Sequence, residues 1–248
     1  MTDQIAYLDA AAATPAGVDY KGRLTTALDV RAGHTVLDVG CGPGTDLARL
    51  ADAVGAAGSV IGVDPEPLML DEARARTAVY PTVDLLLGDV HRLPIARASI
   101  DRVRVDRVLQ HVADPAAAIR ELRRVLRPGG LLGLAEPDWD TLAVADDDLA
   151  VTRQFARFVA GRVRNPTMGR DLVRHCAAAG LTIHAVEPVP ILFRDFAAAD
   201  LILGLRRNVG RAVRAGWISR PDADSWLHRQ THGPVYAGFT THIVVARA

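Results

Sequence analysis

The stretch from Thr35 to Leu50, TVLDVGCGPGTDLARL, leaves this chain few folds to choose from. An apolar β-run, Val36 to Val39, carries an acid at Asp38 and runs straight into glycines at alternate positions, Gly40, Gly42 and Gly44. A helical pattern follows, with Leu47, Leu50 and Val54 on one face and Gly55 in the place of a C-cap. Strand, glycine turn and helix make the first crossover of a nucleotide-binding α/β sheet. The glycines are needed because a Cβ would obstruct the turn and hold a ligand off the backbone. Amides at the N-terminus of the following helix point outward and favour an anionic ligand group.

The next segments repeat the strand–helix alternation. Ser59 to Asp64 is a short apolar strand ending in a carboxylate, and Asp64 falls 20 residues beyond Gly44, where such a sheet delivers an acid to a ribose diol. Pro65-Glu66-Pro67 opens a helix that runs to about Arg76, with proline tolerated in its first turn. A third strand, Val83 to Leu87, ends at Gly88-Asp89-Val90, where Asp89 is placed to accept from an exocyclic amine or to cap a turn. Ile100 to Val105 reads as a fourth strand ending at Asp106, with a poorer pattern because Asp101, Arg102 and Arg104 interrupt it. Asp114 and Pro115 supply an N-cap and a first-turn proline for a helix whose buried stripe is Ile119, Leu122, Val125 and Leu126. Arg127-Pro128-Gly129-Gly130 stops it. A fifth strand, Leu131 to Ala135, delivers Glu136, Asp138, Trp139 and Asp140 to the same edge.

Two helical patterns precede this core, over residues 1–14 and about 18–30. Tyr7 and Tyr20 are the residues there able to cover a flat ligand, or else to pack on the sheet edge. Beyond residue 140 the pattern gives helices at 149–163 and 169–179, a β-like run at 181–192, helices at 196–215 and 221–230, and a last strand within 236–246. No repeat or low-complexity linker divides the chain. We expect one domain over 1–248: a helical cap at 1–33, a core at 34–140, and a helical lid insertion at 193–234.

Composition narrows the partners. A formal net charge of zero gives no global field to recruit nucleic acid or an anionic membrane, and no apolar run is long enough to span one. The two cysteines, Cys41 and Cys176, make no disulfide framework, which fits a reducing cytoplasm. A Walker loop is excluded, because no Gly-Lys-Ser/Thr follows the glycines. A dinucleotide site wants a small residue three places after the second glycine, and Thr45 stands there.

The segments VLDVGCGPG (36–44), VIGVDPEPLML (60–70), GDVHRLP (88–94), VLQHVADP (108–115) and ELRRVLRPGG (121–130), in this order, resemble the class I S-adenosylmethionine-dependent methyltransferases. The likeness is to the branch of ubiquinone/menaquinone-biosynthesis enzymes and bacterial secondary-metabolite methyltransferases. It implies a doubly wound Rossmann-like α/β sheet of seven strands, order 3-2-1-4-5-7-6, with strand seven antiparallel. It also implies S-adenosylmethionine as cofactor and a small-molecule acceptor. On this likeness Gly40, Gly42 and Gly44 lay the methionine end on backbone, and Asp38 supports the turn and the cofactor's ammonium. Asp64, followed by Pro65, takes the ribose hydroxyls, and Asp89 with the backbone of Val90 reads the adenine edge. Asp106 sits beside the ammonium, though many relatives carry Ser or Asn there. A site lined by carboxylates agrees, since this cofactor is a cation without phosphates.

Methyl transfer asks the protein to hold the acceptor in line with the S–CH3 bond in a dry pocket. A general base is needed only for a hydroxyl or an acidic carbon, and His111, past the fourth strand, is the candidate; it serves equally as a loop-ordering residue. Tyr7, Tyr20, Asp138 and Trp139 are the candidate acceptor contacts. The arginines at 206, 207, 211 and 214 read as a solvated helix face. His228 and His232 have no ligand partner in the sequence, so no metal site is expected. A non-methylating relative, such as a cyclase, and a non-enzymatic cofactor sensor remain the alternative readings. Acceptor identity and oligomeric state are left open.

Overall fold

In the computed structural model, which describes residues 2–248, seven strands form one sheet. The strands are β1 (Thr35–Val39), β2 (Ser59–Asp64), β3 (Val83–Leu87), β4 (Ile100–Asp106), β5 (Leu126–Val144), β6 (Thr182–Phe193) and β7 (Ala237–Arg247). Their order is 3-2-1-4-5-7-6. β1 to β5 run parallel to one another, and β7 runs antiparallel between β5 and β6. The strand order reverses between β1 and β4, so a crevice opens at their carboxyl ends, where ligands bind in open α/β sheets.

Helices cover both faces. α2 (Pro15–Ala27), α3 (Leu47–Val54) and α4 (Pro67–Arg76) lie on one side, and α5 (Pro115–Val125) and α7 (Met168–Ala178) on the other. The alternation along β1 divides the cores: Val36 packs with Leu47, Leu50 and Val54, while Leu37 and Val39 pack with Ile119 and Leu122. Each such fully buried aliphatic side chain is worth ~1.5–3 kcal/mol relative to leaving it exposed. The end of α2 lies close on β5. A Cβ on Gly133 would stand 2.6 Å from Leu28 Cγ, so glycine there sets the approach.

α1 (Thr2–Ala13) precedes α2, and α6 (Leu149–Ala160) joins β5 to α7. Between β6 and β7 come α8 (Phe196–Leu203), α9 (Leu205–Arg214) and α10 (Arg220–His232). Among the described residues no helix is long and apolar enough to cross a membrane.

Two expectations are corrected. The single helix expected at 196–215 is broken at Gly204, whose left-handed backbone (φ 59°) turns α8 into α9. β5 does not stop at Ala135. It continues because β7 pairs with it through Asp138 and again at Ala143 and Val144. β4 has ended by then, which leaves that edge free and makes Pro137 tolerable.

The weak pattern of β4 has a physical reason. Arg102 and Arg104 point to the α2 face, and both are buried. Arg102 donates to the carbonyl of Leu28, capping the end of α2, and Arg104 enters a charged cluster described below.

Candidate functional site

A cavity of about 880 Å³ lies at the carboxyl ends of the strands. Its floor is made by the exits of β1 (Gly40, Gly42), β2 (Asp64, Pro65), β3 (Gly88, Asp89, Val90) and β4 (Asp106, Arg107). Tyr7 and Leu8 of α1 close one side. The far end is formed by Trp139 of β5, Phe239 of β7, Arg164 after α6, Ile202 of α8 and Arg207 of α9.

The glycine turn is tied to β2. Gly40 and Cys41 both donate to the carbonyl of Val63, at 2.7 and 3.1 Å. Gly42 donates to Asp64 Oδ2 at 2.9 Å, and Glu66 donates to Asp64 Oδ1 at 3.0 Å. Burial pushes the Asp64 carboxyl above its ordinary value, opposed by those two N–H groups. All three glycines have left-handed backbone, with φ of 71°, 54° and 81°. Their surroundings differ. A Cβ on Gly40 would collide with Val108, and one on Gly44 would press on Ala73 of α4 at 3.0 Å. A Cβ on Gly42 would meet only Leu8 at 3.7 Å, so it would project into the cavity. Gly44 is a helix-packing residue outside the cavity lining. At the β3 exit, Asp89 accepts from the backbone N–H of His91 at 2.7 Å and pairs with its ring, and the His91 N–H lowers its pKa.

Beneath the floor lies a buried charge cluster. Arg104 reaches Asp38 at 2.8 Å, Asp46 at 2.8 Å and Asp106 at 2.9 Å. Lys21 of α2 reaches Asp46 at 2.5 Å and Asp106 at 2.6 Å. The Tyr20 hydroxyl donates to Asp106 at 3.1 Å. Burial opposes ionisation of Asp106, but Lys21, Arg104 and Arg107 outweigh it and hold the group below the carboxylate range. For Asp38 burial prevails over Arg104, and its pKa is raised. Asp38 and Tyr20 therefore sit below the cavity, in this cluster, and do not line it.

The loop leaving β4 is held from two sides. Glu136 accepts from the backbone N–H groups of Val108 (2.7 Å), Leu109 (2.5 Å) and Gln110 (3.3 Å). Burial pushes Glu136 up to about 8 despite these donors. Asn165 donates to the carbonyls of Leu109 and Val112 at 2.8 and 2.9 Å. The loop presents His111 to the cavity; desolvation first, then the Arg107 cation, lowers its pKa, so the neutral imidazole dominates near pH 7. Trp139 donates from Nε1 to Gln110 at 2.8 Å and stacks on Phe239 with ring centroids 4.8 Å apart. Asp138 points away. It is buried in an ion pair with Arg170 and does not line the cavity, because successive strand residues face opposite sides.

The structure thus brings together Tyr7, Gly40, Gly42, Asp64, Pro65, Asp89, Val90, Asp106, His111 and Trp139 of the expected residues. Asp38, Gly44, Tyr20 and Asp138 lie outside the lining. Sequence reasoning missed Arg107, Arg164, Phe239 and the cavity-facing role of Arg207, which belongs to a helix read as solvated. It also passed over Lys21. As the single lysine among 29 basic residues, that position carried a signal.

The model of a methyltransferase domain family matches residues 37–134. An uncharacterized 37.1 kDa protein in transposon TN4556 of Streptomyces fradiae is 49% identical over 247 residues, covering 99% of this chain and 72% of that one. The demethylmenaquinone methyltransferase of Staphylococcus aureus (strain MRSA252) is 34% identical over 144 residues, 58% of this chain and 60% of that enzyme's length. The fold is shared with a crystal structure of an S-adenosylmethionine-dependent methyltransferase from Aquifex aeolicus, with a TM-score of 0.54 and 16% identity over 89% of this chain and 88% of that one. Strand order, glycine turn, strand-end carboxylates and relatives agree, and the chain belongs to the class I S-adenosylmethionine-dependent methyltransferases.

Proposed function

We propose that the chain transfers a methyl group from S-adenosylmethionine to a small organic acceptor held at the Trp139–Phe239 end of the cavity. The observation that carries this reading is the continuity of one cavity from the glycine turn to that aromatic wall. The residues present fit the cofactor. A Cβ at Gly42 would occupy the space the turn leaves open, and Asp64, Glu66 and Asp89 line that end with negative charge suited to a phosphate-free cation.

In this reading Gly40 and Gly42 receive the methionine backbone, Asp64 takes the ribose hydroxyls, and Asp89 with Val90 takes the adenine edge. Asp106 faces the ammonium, while Asp38 and Gly44 act from below by holding Arg104 and α4. S-adenosylmethionine supplies an electrophilic methyl group whose departure leaves a neutral thioether. The chain's own residues orient the acceptor and exclude water. His111, largely neutral at pH 7, accepts the proton of a hydroxyl or carbon acid at its ring nitrogen. α1 and α8–α9 form the lid. The menaquinone-type relative supports a small-molecule acceptor, and two buried free cysteines support a cytoplasmic protein.

Isothermal titration with S-adenosylmethionine tests the cofactor site. Saturable binding that Asp64→Ala weakens strongly is expected, and equal binding by a folded Asp64→Ala variant would refute it. Release of S-adenosylhomocysteine across a metabolite panel, with a methyl mass increment in the product, separates methyl transfer from a cyclase or a sensor.

A further inference from the structure

The two ends of the cavity carry opposite charge. Asp64, Glu66 and Asp89 stand at the glycine-turn end, whereas Arg164 and Arg207 stand at the far end with Trp139 and Phe239, and Arg107 follows Asp106 at the β4 exit between them. Among the described residues the one other acid in the lining, Asp106, is already engaged by Lys21, Arg104 and Tyr20.

Arg107 is the telling residue. Its backbone is left-handed, φ 57°, a conformation that is uncommon for a non-glycine residue and that concentrates at binding sites. Its guanidinium makes no hydrogen bond among the described residues. The nearest carboxylate oxygen, Asp106 Oδ1, is 3.7 Å from Nε, and Nε is buried without a partner. A guanidinium held at the cavity wall with unused donors is a receptor for anionic oxygens, which it binds in a planar two-pronged geometry. Arg164 and Arg207 likewise form no ion pair or side-chain hydrogen bond among the described residues, so their charge is available to the same ligand.

We infer that the acceptor is an anion: a flat apolar body that packs on the Trp139–Phe239 wall and carries a carboxylate or phosphate group received by Arg107, with Arg164 and Arg207 adding field. The inference rests on the methyl-transfer reading, because it assigns the opposite end to the cofactor.

The test is calorimetric titration of 1-naphthoate, 1-naphthyl phosphate and the neutral 1-naphthamide into the full chain saturated with S-adenosylhomocysteine. The charged probes are expected to bind about tenfold or more tightly than the amide, and the better of the two identifies carboxylate or phosphate. Arg107→Asn, a residue that tolerates left-handed backbone, is expected to abolish the preference while leaving S-adenosylhomocysteine affinity within about threefold. Arg207→Met and Arg164→Met are expected to reduce it, and they carry the test if the Arg107 variant does not fold. Charged and neutral probes that bind alike, or none that binds, would overturn the inference while leaving the methyl-transfer reading intact. Loss of S-adenosylhomocysteine affinity in Arg107→Asn, with the preference retained, would also overturn it, since Arg107 would then hold the cofactor's carboxylate. Failure of the unmodified chain to bind S-adenosylhomocysteine would instead sink the methyl-transfer reading, and this inference with it.

Discussion

Lys21 Nζ lies 2.6 Å from Asp106 Oδ2, so the one lysine of the chain fastens the second helix to the exit of β4. Both side chains are buried, and Lys21 also neutralises Asp46. Breaking a buried pair by removing one partner leaves an uncompensated charge. Lys21→Met is therefore expected to destabilise the fold by about 3–5 kcal/mol, read from the urea midpoint. Lys21→Met combined with Asp46→Asn should recover part of the loss. The same burial predicts that amine-reactive reagents label Lys21 in the folded protein far more slowly than after denaturation.

The three glycines of the turn should separate by phenotype. Gly42→Ala puts a methyl group into the cavity with only Leu8 nearby, so it should fold, at a backbone cost of ~1–2 kcal/mol, and lose cofactor affinity. Gly40→Ala and Gly44→Ala would drive a methyl group against Val108 and Ala73 as well, and should lose more stability than Gly42→Ala. Thermal melts with and without S-adenosylhomocysteine distinguish the two classes. A ligand-induced shift in Gly42→Ala equal to that of the unmodified chain would contradict the assignment.

Glu136 gives a pH signature. The unfolded acid titrates near the ordinary glutamate value of 4.5, and the folded one is pushed up to about 8, so between these the folded state keeps a proton that the unfolded chain has released. Its contribution is complete below about 4.5, shrinks as pH rises, and is gone above about 8. Glu136→Gln should flatten this slope in urea titrations from acid to mildly basic pH. It should also cost about 1–3 kcal/mol, because its amide turns a donor towards a loop N–H that needs an acceptor.

His111 is expected to act in the neutral form. Since its pKa lies below the ordinary imidazole value, the rate should rise with pH through a limb below about 6.5 and then level off. With a hydroxyl or carbon-acid acceptor, His111→Ala should lower kcat about 10²–10⁴-fold, erase that limb and leave cofactor affinity unchanged. A variant that keeps the limb would assign His111 to loop ordering alone.

The part of the candidate site that we assign to the cofactor was legible because each of its pieces is local in sequence. A strand, a turn with glycines at fixed spacing and an acid at the next strand end are set by adjacent residues, and the sheet order accompanies them. The aromatic end of the cavity was not. Trp139 was visible, but Phe239 meets it across antiparallel pairing with β7, and Arg164 and Arg207 arrive from separate connections. Asp138 and Trp139 are neighbours in the chain and face opposite ways, which became readable only once β5 was seen to continue beyond Ala135. The arginines of β4 looked like a flaw in a strand. They are buried because Asp38, Asp46 and a helix carbonyl meet them, partners drawn from distant segments. Nothing in the residue type of Arg107 announces a left-handed backbone.

The position of β7 between β5 and β6 has a consequence for how the molecule is made. β6 is translated before α8, α9 and α10, yet its only neighbour in the sheet is β7, which follows them. Until β7 emerges from the ribosome, β6 is a strand with both edges open and β5 has one edge bare, a state prone to pairing with other chains. The two prolines within β6, Pro188 and Pro190, each remove a backbone donor from that waiting strand and make it a poorer template for the wrong partner. Completion of the aromatic end of the cavity then waits for β7, since Phe239 arrives on the strand that closes the sheet.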